Sequence, residues 1–126
     1  MRDLHHYLDQ LDTTDTVGRQ YLAEAVAVAR HGPAQLRETD VDLAAIAREL
    51  PEISSADDAR QRLLVERACA EVANQIDGPG PPSKGRQELA DELDVARRTV
   101  TSWILGERAL SGPARKMVEE IAEVHP

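Results

Sequence analysis

Apolar residues recur every three to four positions along most of this chain, the spacing of one face of an α-helix. Leu4, Tyr7, Leu8 and Leu11 give a short helix over Leu4–Leu11. Thr13 or Thr14 is placed to cap a second helix, about Asp15–Arg30, whose apolar positions include Val17, Tyr21, Leu22, Ala25, Val28 and Ala29. His31-Gly32-Pro33 is expected to stop it, because Gly suits a helix cap and Pro cannot continue the helix. One further turn is expected around Pro33–Glu38. Asp40 or Asp42 caps a helix through Leu50, with Leu43, Ile46, Ala47 and Leu50 inward, and Pro51 ends it. Ser54 or Ser55 then caps the longest helix, about Ala56–Ile76, with Asp57 and Asp58 in its positive first turn. There Leu64, Ala68, Val72 and Ile76 step by four with Val65, Cys69 and Ala73 beside them, a stripe wide enough to predict burial of most of one side.

The clearest break is Asp77–Gly85, DGPGPPSKG, whose three Gly and three Pro are expected to form a loop or hinge. Beyond it come two short helices, roughly Gln87–Leu93 and Arg97–Leu105, joined by the turn Asp94-Val95-Ala96 and closed by Gly106. Ser111 caps a last helix through about Val124, with Pro113 in its first turn and Ala114, Met117, Val118, Ile121 and Ala122 inward. No β-branched alternation and no internal repeat stand out. The expected fold is all-α, a helical bundle in three regions: an acidic helical part, 1–77; a Gly/Pro loop, 78–85; and a C-terminal helix pair, 86–126, with its scaffold helix supplied from 56–76.

That pair has the form of a helix-turn-helix, which presents its second helix to the major groove of DNA. Leu89, Ala90 and Leu93 face inward on the first helix, Ala90 being small enough for a close crossing. Val95 plugs the turn into the core, and Val100, Trp103 and Ile104 face inward on the second helix. This leaves Arg97, Arg98, Thr101 and Ser102 on the outer face, with Leu105 at its end. Arg binds guanine O6 and N7 or a phosphate, and Ser and Thr bind either bases or phosphates. Asp94 stands at the turn position that asks for the left-handed conformation, which Asp visits more readily than most residues. Ala96, at the helix start, caps poorly.

Leu89-Ala90, Leu93, Val95, Val100, Trp103, Gly106-Glu107-Arg108 and Ser111-Gly112-Pro113-Ala114 resemble the phage-repressor/Cro-type (XRE-like) helix-turn-helix family over about the last 40 residues. The resemblance implies a lambda-repressor-like C-terminal unit. It implies Arg97, Arg98, Thr101 and Ser102 as base contacts, and Gln87, Thr99 and Arg108 as phosphate contacts.

Charge complicates that expectation. The 126 residues carry a net charge of −8. Residues 1–77 hold eight Arg against fifteen Asp and Glu, a balance of −7, whereas residues 78–126 are nearly neutral at −1. Non-specific DNA binding should therefore be weak, while an acidic body repels the duplex everywhere but the reading face.

Other chemistries find little support. His5, His6, His31 and His125 have no ligand-spaced neighbours, so no metal is expected. Cys69 reads as a buried small hydrophobe, and GPGPPSKG lacks the phosphate-loop form. No cofactor and no enzyme activity are expected. No secretory signal and no membrane span are expected, and a single cysteine fits a reducing cytoplasm. Three functions are consistent with the residues. The first is a sequence-specific DNA-binding regulator, a repressor of phage, prophage or mobile-element type, acting on double-stranded DNA as a homodimer through the long helix or Leu4–Leu11. The second is an antitoxin-like module or phage inhibitor of host defence, whose residues 1–77 bind a protein partner and whose helix pair is autoregulatory. The third is a structural helical domain in which Arg97 and Arg98 are bridged to Glu92 or Asp94.

Overall fold

The computed structural model of the chain describes residues 4–38, 42–73 and 82–122. Within them the elements run α1 (Leu4–Leu11), β1 (Thr16–Gly18), α2 (Arg19–Glu38), α3 (Leu43–Arg48), β2 (Ile53–Ser55), α4 (Ala56–Ala73), α5 (Pro82–Leu93), α6 (Arg97–Leu105) and α7 (Gly112–Ala122). The chain is mostly helical, as its spacing predicts. Two of the expected caps form. An Asp42 side-chain oxygen accepts from the Ala45 amide at 3.0 Å, and Ser55 Oγ accepts from the Asp58 amide at 3.1 Å, each satisfying an amide that the first helical turn leaves without a partner. Asp40, the alternative cap, lies outside the described residues, as do Ile76, Val124 and His125.

Four elements differ from the sequence reading. The first is α2, which does not start at Thr13 or Thr14. Those hydroxyls donate to the carbonyls of Gln10 and Thr16, and α2 begins at Arg19, whose amide donates to Glu52 O at 3.0 Å. Nor does α2 stop at His31-Gly32-Pro33; it continues to Glu38 and, at 20 residues, exceeds the 18 of α4. A proline inside a helix forfeits one backbone hydrogen bond. The burial of Leu22, Ala23 and Ala25 through Ala29 just upstream holds the helix in spite of that, since packing overrides local propensity.

The second is a small sheet that the sequence reading lacks. β1 and β2 pair antiparallel with Val17 opposite Ser54, these two buried and their neighbours exposed. Alternation over three residues is too short to register as a pattern. Each strand follows a helix after four residues and runs directly into the next helix. The N-terminal part is thus two helix–strand–helix units facing each other across the sheet, a repeat of backbone form without a repeat of sequence.

The third is α5, which starts at Pro82 and so takes in the second half of the predicted loop; residues 77–81 lie outside the described ones. Pro at the first helical position costs little. Gly85 has a specific role, because a Cβ there would sit 2.8 Å from Cys69 O. The missing side chain lets α5 lie directly on α4. The fourth is Met117, predicted inward but 41 % exposed on α7.

Two apolar cores share α4. Ala59 and Leu63 belong to the first, with α1, α2, α3 and Val17. Leu64, Val65, Ala68 and Cys69 belong to the second, with Leu89, Ala90, Val100, Trp103, Ile104, Leu110, Val118 and Ala122. α4 packs against α1, α2, α5, α6 and α7, so it is the scaffold of the C-terminal pair and the centre of the N-terminal part as well.

A buried ion network lies where α2, α3, α4 and α5 converge. Arg30 Nε donates to Glu66 Oε2 at 2.5 Å, with the Glu66 side chain 3 % exposed. Glu49 lies 3.5 Å from Arg30 and 3.9 Å from Arg62. Burial works to lower the Arg30 guanidinium, but Glu66 and Glu49 outweigh it and hold it above its ordinary value. Burial prevails at Arg62, which is lowered. The same surroundings, burial first and Glu66 next, push the Cys69 thiol up to about 12, so it is a neutral packing group, as expected. Burial and Arg30 hold His31 below its usual 6.5. The unfolded chain therefore takes up this proton first as pH falls, and stability should decline below about pH 6.5. Urea titrations at pH 7.5 and 5.5 check this, with His31→Gln reducing the difference.

Candidate nucleic-acid interface

α5 and α6 are joined by the three residues Asp94-Val95-Ala96. Asp94 has φ +55°, in the left-handed region, as the turn requires. Val95 donates its amide to Ala90 O at 2.9 Å and packs its half-buried side chain on the second core. Ala96 is extended and supplies no side-chain cap; its carbonyl instead accepts from the Thr99 amide at 2.9 Å. At the other end Gly106, with φ +76°, lets the chain leave α6 sharply. The Ser102 carbonyl then accepts from the amides of Gly106, Glu107 and Arg108. Val100, Trp103 and Ile104 are buried on the inner side of α6.

The outer face carries the residues singled out from sequence. Arg97 and Arg98 are exposed at the start of α6, while Thr101 and Ser102 are half-buried. Neither arginine forms an ion pair with a described residue, so the bridges to Glu92 or Asp94 that a purely structural role predicts do not form. Of the residues that the family resemblance implies as phosphate contacts, Arg108 is exposed on the loop after α6 and Thr99 is half-buried. Gln87 is exposed and donates to Asp91 Oδ1 at 2.9 Å within α5, a bond it must release to reach a phosphate.

Gln61 on α4 is the positioning residue that sequence reasoning missed. Its Nε2 donates to Trp103 O at 2.8 Å and to Arg108 O at 2.9 Å, and its Oε1 accepts from the Leu110 amide at 2.8 Å. One side chain thereby fastens the end of α6 and the Arg108 loop to the scaffold. The only signal was a polar residue beside the wide apolar stripe of α4. Gln61→Ala should cost about 1–3 kcal/mol, because partly buried backbone groups lose their partners. Amide exchange should also quicken at Leu110. Unchanged exchange there would mean the loop holds itself.

A cleft of about 340 Å³ opens beside this clamp, lined by Asp57, Asp58, Arg60, Arg108 and Arg115 among others. Arg60 is ion-paired to Asp12 and Arg115 to Glu119, which leaves Arg108 as its cation without an ion partner among the described residues. No group of His, Cys, Asp and Glu able to hold a metal occurs among the described residues, and none of their helices is long and apolar enough to cross a membrane.

Comparison with known proteins yields no match, whether to a protein-family model, a curated protein or a solved structure.

Proposed function

We propose that α5 and α6 form a lambda-repressor-like helix-turn-helix that reads duplex DNA, and that the protein is a sequence-specific transcriptional regulator, a repressor of phage, prophage or mobile-element type. One observation carries the reading. Two adjacent arginines stand exposed at the start of a helix that is presented by a three-residue turn and pinned from behind, and no described carboxylate neutralises them. Exposed cations held in a fixed frame are what phosphate positioning and bidentate guanine contact require. Arg97, Arg98, Thr101 and Ser102 are the base-contact residues in this reading; Gln87, Thr99 and Arg108 hold phosphates.

The alternative is an acidic N-terminal surface for a protein partner. Asp12, Glu49, Glu66 and Glu71 pair with Arg30, Arg60, Arg62 and Arg67 of the same chain, and because such pairs cancel equal numbers of both signs, the −7 surplus rests on the other carboxylates of residues 1–77.

Selection of bound duplexes from a random pool near physiological salt tests the reading, with Arg97→Ala/Arg98→Ala alongside. A motif recovered by the parent and lost by the variant supports it, and recovery of nothing overturns it. Residue roles separate by energetics. Arg98→Ala should weaken binding to the selected site by about 1–3 kcal/mol while changing random-sequence binding less. Arg108→Ala should weaken both alike and reduce the salt slope by about one.

A further inference from the structure

Arg62 is the least satisfied member of the buried ion network. It is 5 % exposed, yet its Nε has no hydrogen-bond partner. Its one ion contact among the described residues is Glu49 at 3.9 Å, beyond hydrogen-bond reach, and Glu66 is engaged by Arg30 at 2.5 Å. A buried guanidinium with an unmet N–H is stabilised by an acceptor, most of all by a charged one. Burial already works against the charge of Arg62, and an anion beside it reverses that effect.

Arg62 also lines a groove of about 120 Å³, and it is the only cation that does. Ser54 and Ser55 of β2 line it as well. Ser55 Oγ accepts from the Asp58 amide, which leaves its O–H to donate. Leu22, Pro51, Ile53, Ile104 and Leu105 supply an aliphatic wall. The groove therefore offers a positive charge with an unmet N–H, hydroxyl donors and apolar surface together. An apolar cavity of ~150 Å³ admits benzene, a molecule of about six non-hydrogen atoms, so this groove takes a ligand of that size or slightly smaller. Asp58, exposed on the same lining, disfavours a second negative charge on that ligand.

We propose that this groove binds a small aliphatic monocarboxylate, with its carboxylate on the Arg62 guanidinium and the serine hydroxyls and its carbon chain against Leu22, Ile53 and Leu105. The site goes beyond the DNA reading and does not depend on it. Its lining comes from α2, β2, α4 and the last turn of α6, so an occupant ties the end of the proposed reading helix to the N-terminal helices.

Titration of the full chain without DNA tests the site, using sodium isobutyrate up to about 20 mM at constant ionic strength and following amide NMR shifts. Saturable shifts are expected at Ser54, Ser55, Leu105 and Gly106, with a Kd of about 1 mM or below. Two molecules of the same shape separate charge from size. Isobutyramide is neutral, and L-alanine carries an ammonium where isobutyrate has a methyl; each should bind at least about tenfold more weakly. Arg62→Gln should abolish the shifts. If that variant loses the parent's circular dichroism and Tm, Leu105→Glu decides, because Leu105 is 53 % exposed and a carboxylate on the groove wall should weaken isobutyrate by at least about tenfold. No saturable shift, equal binding of isobutyramide, tighter binding of L-alanine, or binding that survives the folded variants overturns the proposal. A chain that binds isobutyrate but selects no motif from the DNA pool keeps the site and loses the DNA reading.

Discussion

Trp103→Ala should cost about 3–5 kcal/mol and should unfold the whole chain in one transition. Trp103 is 5 % exposed in the second core and is the single tryptophan of a protein with no Phe; Tyr7 and Tyr21 pack in the first core, so the second has no other aromatic ring to fill the space. Its backbone matters as well, because its carbonyl accepts from Gln61 and lies beside the Gly106 cap. The loss is not confined to the C-terminal helices. Leu63 and Leu64, adjacent on α4, belong to different cores, so neither core melts without loosening the helix that the other needs. With total stability for a domain of this kind about 5–15 kcal/mol, the variant should be marginal at 37 °C. Coincident urea transitions by far-UV circular dichroism and by amide exchange in α2 and α7 would verify the coupling; an α2 that keeps the parent's protection while α7 melts would show two independent units instead.

The same arrangement shows which features were legible in the sequence and which were not. Features decided by neighbouring residues were readable. The Asp94 turn, the Gly106 exit, the Asp42 and Ser55 caps and the inward faces of α1 and α6 all follow from residues within about one helical turn of each other. Features decided by distant contacts were not. Pro33 failed to end α2 because buried alanines and valines upstream hold the helix. Gly85 reads as part of a loop until α4 is in place beside it, whereupon its missing side chain becomes the condition for helix–helix contact. Gln61 acts on residues 42 to 49 positions away, and Arg30 on one 36 positions away, separations at which the sequence shows two unrelated polar residues. The outer face of α6 was legible because exposure needs only the helical period. That Arg97 and Arg98 stay clear of Glu92 and Asp94 is a matter of geometry, which the period alone does not supply.

Glu66→Ala should be nearly as damaging as Trp103→Ala, at about 3–5 kcal/mol, and for the opposite reason: it removes a charge rather than an apolar group. Glu66 is 3 % exposed and accepts from Arg30, and Arg62 and Arg86 lie close enough to interact with the same cluster. Arg62 is 5 % exposed with its Nε unpaired among the described residues. Removing Glu66 leaves the largely buried Arg30 and Arg62 with Glu49 as their remaining carboxylate among the described residues and Arg86 close enough to repel Arg62, and arginine does not shed its proton to relieve this. Glu66→Gln keeps shape and some hydrogen bonding but not charge, so it should fall between the parent and Glu66→Ala. The decisive comparison is a double variant, Arg30→Met/Glu66→Leu, which removes both partners. A well-packed apolar pair in place of a buried ion pair is often neutral or stabilising, so the double variant should recover most of the single variant's loss in a urea melt. If Glu66→Ala instead melts within about 1 kcal/mol of the parent, the pair behaves as a solvent-exposed one, and the convergence of α2, α3, α4 and α5 owes its stability to the apolar contacts around it.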